Sequence, residues 1–168
     1  MFSFATSLAL LVLVIGNARA ETHTVSFTNK CGFGTPTLIQ GPNVLSTGGK
    51  LLSPPRAPNS FDAGAYTSNG PLISAIAYLQ TGACGFNGEG CTLLETTLTN
   101  GFSSTDLSLI PPHAFSVTTG FGYYNGCDGA GADCQEANCP EAFESSDQTW
   151  KQVGCPAANV DLAITFCD

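Results

Sequence analysis

Two acids flank the most informative turn in the chain. Glu95 and Asp106 lie on either side of Asn100-Gly101, within segments 91–99 and 102–110 that both alternate polar and apolar residues. Asn-Gly is the preferred pair for a two-residue type I′ hairpin turn. With these as the two loop residues, Glu95 stands directly opposite Asp106 on one sheet face. Directly opposed Cβ atoms lie ~4.5–5.5 Å apart, and like charges there repel, so such a pair needs a reason. The functional reason is acid/base or sugar-binding chemistry, in which repulsion raises one pKa. The alternative register places Ser103, Ser104 and Thr105 in a longer loop and leaves both acids merely solvated.

Sugar binding also asks for aromatic faces and a few hydroxyl acceptors. The glycine-rich segment 120–126 supplies Tyr123 and Tyr124 just before Cys127. These rings either line a ligand site or cover a thin core, and Trp150 is expected in the core. His113 follows Pro111-Pro112 without a positioned Ser or Cys, so a nucleophilic triad is not expected. Segment 128–133 carries Asp128 and Asp133 but too few ligands for a dedicated calcium loop. No cofactor or metal is expected, since no two CxxC pairs occur and His23 and His113 lie far from the cysteines. Residues 128–147 hold six acids and no base, which reads as a solvated face. No Asn-x-Ser/Thr sequon occurs, so N-glycosylation is not expected.

The elements that must position these groups are strands. Val25 and Phe27 alternate with Thr24 and Ser26. Leu107 and Leu109 alternate with Asp106 and Ser108, and Val160, Leu162, Ile164 and Phe166 alternate with Asp161, Ala163 and Thr165. Residues 72–79 form a buried-looking apolar run. Gly41-Pro42-Asn43, Pro54-Pro55, Asn69-Gly70-Pro71 and Pro111-Pro112 punctuate the chain too closely for ordinary helices. One helical turn is expected near 140–145, and 53–69 reads as an irregular loop. A mainly β, disulfide-stapled sandwich follows.

The chain has 168 residues, 43 % of them hydrophobic and 11 % charged, enough apolar content to exclude disorder and enough for one domain. Its net charge of −8 argues against a nucleic-acid partner, whose phosphates would be repelled. The apolar run 4–15, ending in Ala18-Arg19-Ala20, reads as a signal peptide over residues 1–20, cut after Ala20. It is too short for a comfortable membrane span. The mature chain, 21–168, is therefore expected to be secreted. Eight cysteines in a secreted chain imply four disulfides, although their number alone allows 105 connectivities.

In order along the chain, Cys31 after His-Thr-Val-Ser-Phe-Thr-Asn-Lys, then TGACGFNGEGC (81–91), TLLETTL (92–98), DLSLI (106–110), CPEAF (139–143), Cys155-Pro156 and the terminal ITFCD (164–168) resemble landmarks of thaumatin-like proteins. The chain is similar to a compact version lacking most of the second, disulfide-rich loop domain. It resembles still more the small secreted mushroom glycopeptides, a group that includes an antiviral glycan-binding lectin. The resemblance implies bridges Cys31–Cys167, Cys84–Cys91, Cys127–Cys155 and Cys134–Cys139. It also places Glu95, Asp106 and Glu141 at three of the five positions of the family's acidic glucan cleft. The family arginine and one aspartate have no counterpart, which weakens hydrolysis more than binding. The function implied is a secreted, monomeric, lectin-like defence or recognition protein whose partner is a carbohydrate, either β-glucan or GalNAc-containing glycans. The alternatives are an endo-β-1,3-glucanase using Glu95 and Asp106 as catalytic pair, and a wall-associated or effector protein that binds another protein.

Overall fold

The period-two pattern becomes two facing sheets. The computed structural model describes residues 20–48 and 61–168, so the expected leader, and the part of the expected loop before Phe61, lie outside the described residues. The strands are β1 (Thr22–Asn29), β2 (Thr35–Gln40), β3 (Asn43–Ser46), β4 (Phe61–Asn69), β5 (Leu72–Gln80) and β6 (Leu93–Leu98), then β7 (Ser103–Ser108), β8 (Thr119–Tyr124), β9 (Gly131–Cys134), β10 (Ala142–Phe143), β11 (Val153–Cys155) and β12 (Asp161–Phe166). Five of them form one sheet in the order β4-β1-β12-β8-β9, and the other sheet runs β10-β7-β6-β5-β2-β3, with β11 pairing β7. Among the described residues no helix is long and apolar enough to cross a membrane.

The main core lies between the sheets, because alternate residues of each strand point there. Val25, Phe27, Leu162, Ile164 and Phe166 come from one sheet, and Leu38, Leu72, Leu94, Leu98 and Leu107 from the other. Phe27 and Phe166 stack with centroids 6.4 Å apart. Each fully buried Leu, Ile or Phe side chain contributes ~1.5–3 kcal/mol relative to exposure, so the two faces supply most of the folding drive. Cys31 is bonded to Cys167 across 136 residues, tying the end of β1 to the end of β12. In the chain-entropy view, closing a loop of that size contributes on the order of 4–5 kcal/mol.

A smaller core forms on the outer face of the second sheet. Ile39, Tyr78, Leu93 and Cys91 are buried there beneath loop 81–91, which the Cys84–Cys91 bridge closes. The Tyr78 hydroxyl donates to the Phe86 carbonyl at 2.8 Å, fastening the loop to β5. Cys127–Cys155 joins the chain just after β8 to β11.

Several expectations need correction. The second half of the expected 53–69 loop is strand β4, whose residues pair with β1. The helical turn expected at 140–145 is the short strand β10, drawn onto β7 in parallel register. The helical turn that does form is a 3-10 turn at Thr149–Lys151. Cys134 and Cys139, for which the resemblance implied a fourth bridge, stand as unbonded buried thiols. Their sulfurs face the Glu136 carbonyl at 3.6 Å and the Asp133 carbonyl at 3.9 Å respectively. Burial and the adjoining Cys139 thiol push the Cys134 thiol far above the ordinary thiol range.

Candidate functional site

The hairpin that places the two acids is built from both strand and turn chemistry. In β6 and β7, Glu95 pairs with Asp106, Thr96 with Thr105 and Thr97 with Ser104. This is the register with Asn100 and Gly101 as the loop residues, closed by the Phe102 N–H donating to the Thr99 carbonyl at 3.2 Å. Gly101 takes φ +85° while Asn100 does not enter the positive-φ region. The turn therefore has the sign pattern of type II, not the expected type I′. Long-range contacts supply the reason. The Asn100 N–H donates to Glu21 Oε1 at 2.6 Å, and Asn100 Oδ1 accepts the Asn159 N–H at 2.6 Å.

Alternation then sorts the hairpin's side chains between faces. Thr96 and Thr105 point inward, their hydroxyls 2.7 Å apart. Glu95, Thr97, Ser104 and Asp106 point to the outer face. A bulge in β5 opens this face further, since Ser74 adopts φ +50° and its N–H donates to Thr97 Oγ1 at 3.0 Å. The result is a cleft of about 210 Å³ lined by Ser74, Ile76, Glu95, Thr97, Asp106 and Gln152, among others.

The two carboxyls in it differ sharply in environment. Glu95 is exposed, whereas Asp106 is 5 % exposed. Burial and, after it, the charge of Glu95 push the Asp106 pKa up to about 7, opposed by a hydrogen bond from Gln152. Gln152 Nε2 donates to Asp106 Oδ1 at 3.4 Å. A protonated Asp106 beside an open Glu95 gives one hydroxyl donor and several acceptors within one small concavity. That set suits a polyhydroxylated ligand, and it also has the composition of an acid/base pair.

The other expected site residues fall elsewhere. Glu141 and Asp106 each stand one residue before the pair Ala142–Leu107, yet Glu141 opens toward a second cleft of about 540 Å³. That cleft lies on the outer face of the first sheet, over Gly120, Gly122 and Gly131, with Asp133 and Asp168 at its sides. Asp133 Oδ1 is buried there without a hydrogen-bond partner, while Oδ2 accepts from Gln135 at 2.6 Å. Tyr123 lines neither cleft. Its ring is buried in the main core, and its hydroxyl donates to the Val153 carbonyl at 2.9 Å and stands 2.9 Å from Thr105 Oγ1. Burial raises the Tyr123 pKa to about 12. Tyr124 points to the other face and is half-buried beside Asp161, and it lines neither cleft. Trp150, expected in the core, is 73 % exposed.

Gln152 was not singled out by sequence reasoning, and no local pattern marks it. Its place follows from β11, which pairs antiparallel with β7 and sets the preceding residue beside Asp106. Among the described residues no group of three or more His, Cys, Asp and Glu is arranged to hold a metal ion.

No family model matches the chain. No curated protein matches it either. Among solved structures it is similar to a thaumatin-like xylanase inhibitor, with 20 % identity, a TM-score of 0.53 and coverage of 86 % of this chain and 99 % of that one. It is also similar to the protein elicitor MoHrip2 from Magnaporthe oryzae, with 15 % identity, a TM-score of 0.49 and coverage of 87 % and 99 %. Two β sheets, three disulfides and almost no helix among the described residues, superimposed over most of the chain on the xylanase inhibitor, make this the fold of the thaumatin-like proteins.

Proposed function

We propose that the chain is a secreted carbohydrate-binding protein of defence or recognition type whose sugar site is the Glu95–Asp106 cleft. The observation that carries this reading is the directly opposed carboxyl pair, one buried and one open, set in a cleft whose other lining includes hydroxyls, an amide and the apolar Ala75 and Ile76. A cleft of about 210 Å³ is below the ~300–1,000 Å³ of sites for drug-sized ligands, so it suits a single ring at the end or middle of a glycan. Three disulfides fit an oxidising, extracellular setting. The test is a glycan array holding β-1,3-glucose oligomers and GalNAc-terminated glycans, probed with residues 21–168. Selective binding that disappears in Glu95→Gln supports the reading, and equal binding by wild type and variant refutes it.

The titration of Asp106 favours one second reading, hydrolysis of a β-1,3-glucan. A glycosidase needs a protonated acid near an ionised partner, at ~5–5.5 Å for retention. With its pKa at about 7, Asp106 is largely protonated below neutrality and is placed to be that acid. Release of reducing ends that falls as pH rises through about 7, and vanishes in Asp106→Asn, is the expected outcome of this reading.

A further inference from the structure

The Glu95–Asp106 cleft has donors and acceptors for hydroxyl groups, but no aromatic ring lines it. A sugar ring presents an apolar C–H face as well as hydroxyls, and a site that meets only the hydroxyls leaves that face in water. The chain nevertheless exposes one large aromatic beside the cleft's amide. Trp150 stands two residues before Gln152, whose Nε2 reaches Asp106, and at 73 % it has the greatest exposure of the large apolar side chains described. Phe102, at the hairpin turn, is also exposed at 69 %, and Ser104 two residues on also lines the cleft, but of these two lining residues it is Gln152 that bonds Asp106.

The exposure of Trp150 does not come from a frayed segment. Its 3-10 turn is pinned from three directions. Lys151 Nζ donates to the Ala142 carbonyl at 2.6 Å, and the Gln152 N–H closes back on the Thr149 carbonyl at 3.3 Å. On the entry side, Gln148 Oε1 accepts the Glu144 N–H at 2.7 Å and the Ser145 N–H at 3.3 Å. Immediately after Gln152, β11 joins β7, the strand that carries Asp106. The backbone therefore fixes Trp150 two residues before Gln152, which lines the cleft, and leaves a large apolar surface wet. A fixed, wet aromatic next to a polar concavity that lacks one is the arrangement of a stacking platform.

We infer that Trp150 is the platform on which the apolar face of the sugar packs, with Gln152 and the Glu95–Asp106 pair reading its hydroxyls. The inference rests on the carbohydrate reading of the cleft, and it adds the 3-10 turn as a specificity element of the same site. Binding then has two parts: acids and amide fix the ring's hydroxyl pattern, and the indole selects rings with a flat, uninterrupted C–H face. The turn's backbone is held by its hydrogen bonds before a ligand arrives, so the ordering that opposes binding here is that of the indole's two side-chain torsions.

Because Trp150 is the sole tryptophan of the chain, its emission reports this contact without ambiguity. The experiment titrates residues 21–168 with a β-1,3-linked glucose tetramer and with a GalNAc-terminated trisaccharide, reading tryptophan emission and, separately, calorimetric binding. For the sugar that binds, emission shifts to the blue with the calorimetric affinity. Trp150→Ala then weakens binding roughly tenfold while Trp150→Phe retains most of it, the stacking being a face contact of modest size. Heat-unfolding midpoints of both variants stay close to the wild-type value, since the residue is 73 % exposed in the free protein. Binding that is lost in Glu95→Gln but unchanged in Trp150→Ala, with static emission, overturns the platform and leaves the cleft reading standing. Absence of binding of either sugar to the wild-type chain overturns the cleft reading and the platform with it.

Discussion

Two clefts among the described residues are made by opposite means. The larger one, on the outer face of the first sheet, is a space where side chains are missing: Gly120, Gly122 and Gly131 form its floor, and acids stand at its margins. The smaller one, on the outer face of the second sheet, is a space where particular side chains converge, two carboxyls in direct register with an amide and hydroxyls around them. Volume alone would direct attention to the first. Chemistry directs it to the second, because there burial of one carboxyl beside another changes what the group can do at neutral pH.

The sheet beneath the smaller cleft sharpens the point. At the β5–β6 end near Tyr78 and Leu93 its outer face is roofed by the disulfide-closed loop 81–91 and forms a second core. At the Glu95–Asp106 end the same face is left open. A buried carboxyl facing another acid lowers stability, so its retention at the open end points to a use outside folding.

Substitutions in the two clefts separate these roles, and the largest effect is expected in the glycine floor. A Cβ at Gly131 would overlap the Phe121 carbonyl oxygen across the β8–β9 pair. Gly131→Ala is therefore expected to cost about 3 kcal/mol in urea unfolding, from overpacking against backbone, while sugar binding at the other cleft persists in the folded fraction.

Next comes Asp106. Its folded pKa, about 7, is raised above the unfolded value of 3.8, so the folded state holds its proton more tightly. The stability this group adds is full below about pH 4 and is lost as pH rises through about 7. Wild type is expected to lose about 2 kcal/mol from this group between those limits, after allowance for screening by solvent at the open side of the pair. Asp106→Asn is expected to abolish that slope, which chemical unfolding at a series of pH values reads directly.

Glu95→Gln should change stability less, by about 0.2–1 kcal/mol in the stabilising direction at pH 8, where two opposed charges are relieved. Calorimetry on the same variant is expected to show sugar affinity reduced tenfold or more, since a charged acceptor is lost from the cleft. The smallest effect is expected at Asp133. Asp133→Asn in the larger cleft should stay within about 0.5 kcal/mol of wild type and bind sugar as before, because Oδ1 has no partner to lose.

Local pattern and long-range contact divided the information differently in different parts of the chain. The opposed acids were legible because an Asn-Gly turn sets the register of its own hairpin within a few residues, and β12 was legible from strict alternation over 160–166. Strand β4 was not legible, because it closes the stretch 53–69, whose Pro, Ser, Gly and Asn read as a loop, and its strand form comes from pairing with β1. Asn100 illustrates the same limit within the turn itself, where contacts from Glu21 and Asn159, both distant in sequence, accompany a type II geometry in place of type I′. The aromatics were misassigned for a related reason. Tyr123 sits in an alternating strand, and a two-residue period does not say which of its faces is the core; the buried bond to Thr105 does. Trp150 lies in a 3-10 turn that a bond from Lys151 to the Ala142 carbonyl fastens, a contact that no spacing announces.

The central claim is that sugar is bound at the Glu95–Asp106 cleft and not in the glycine-floored one. The most direct measurement is amide chemical-shift mapping of isotope-labelled residues 21–168 on addition of whichever glycan the array selects. The account predicts shifts concentrated at Ser74–Ile76, Glu95–Thr97, Ser104–Asp106 and Gln152, with Trp150 Nε1–H among them. Shifts concentrated instead at Gly120–Gly122, Asp133 and Thr165 would contradict it.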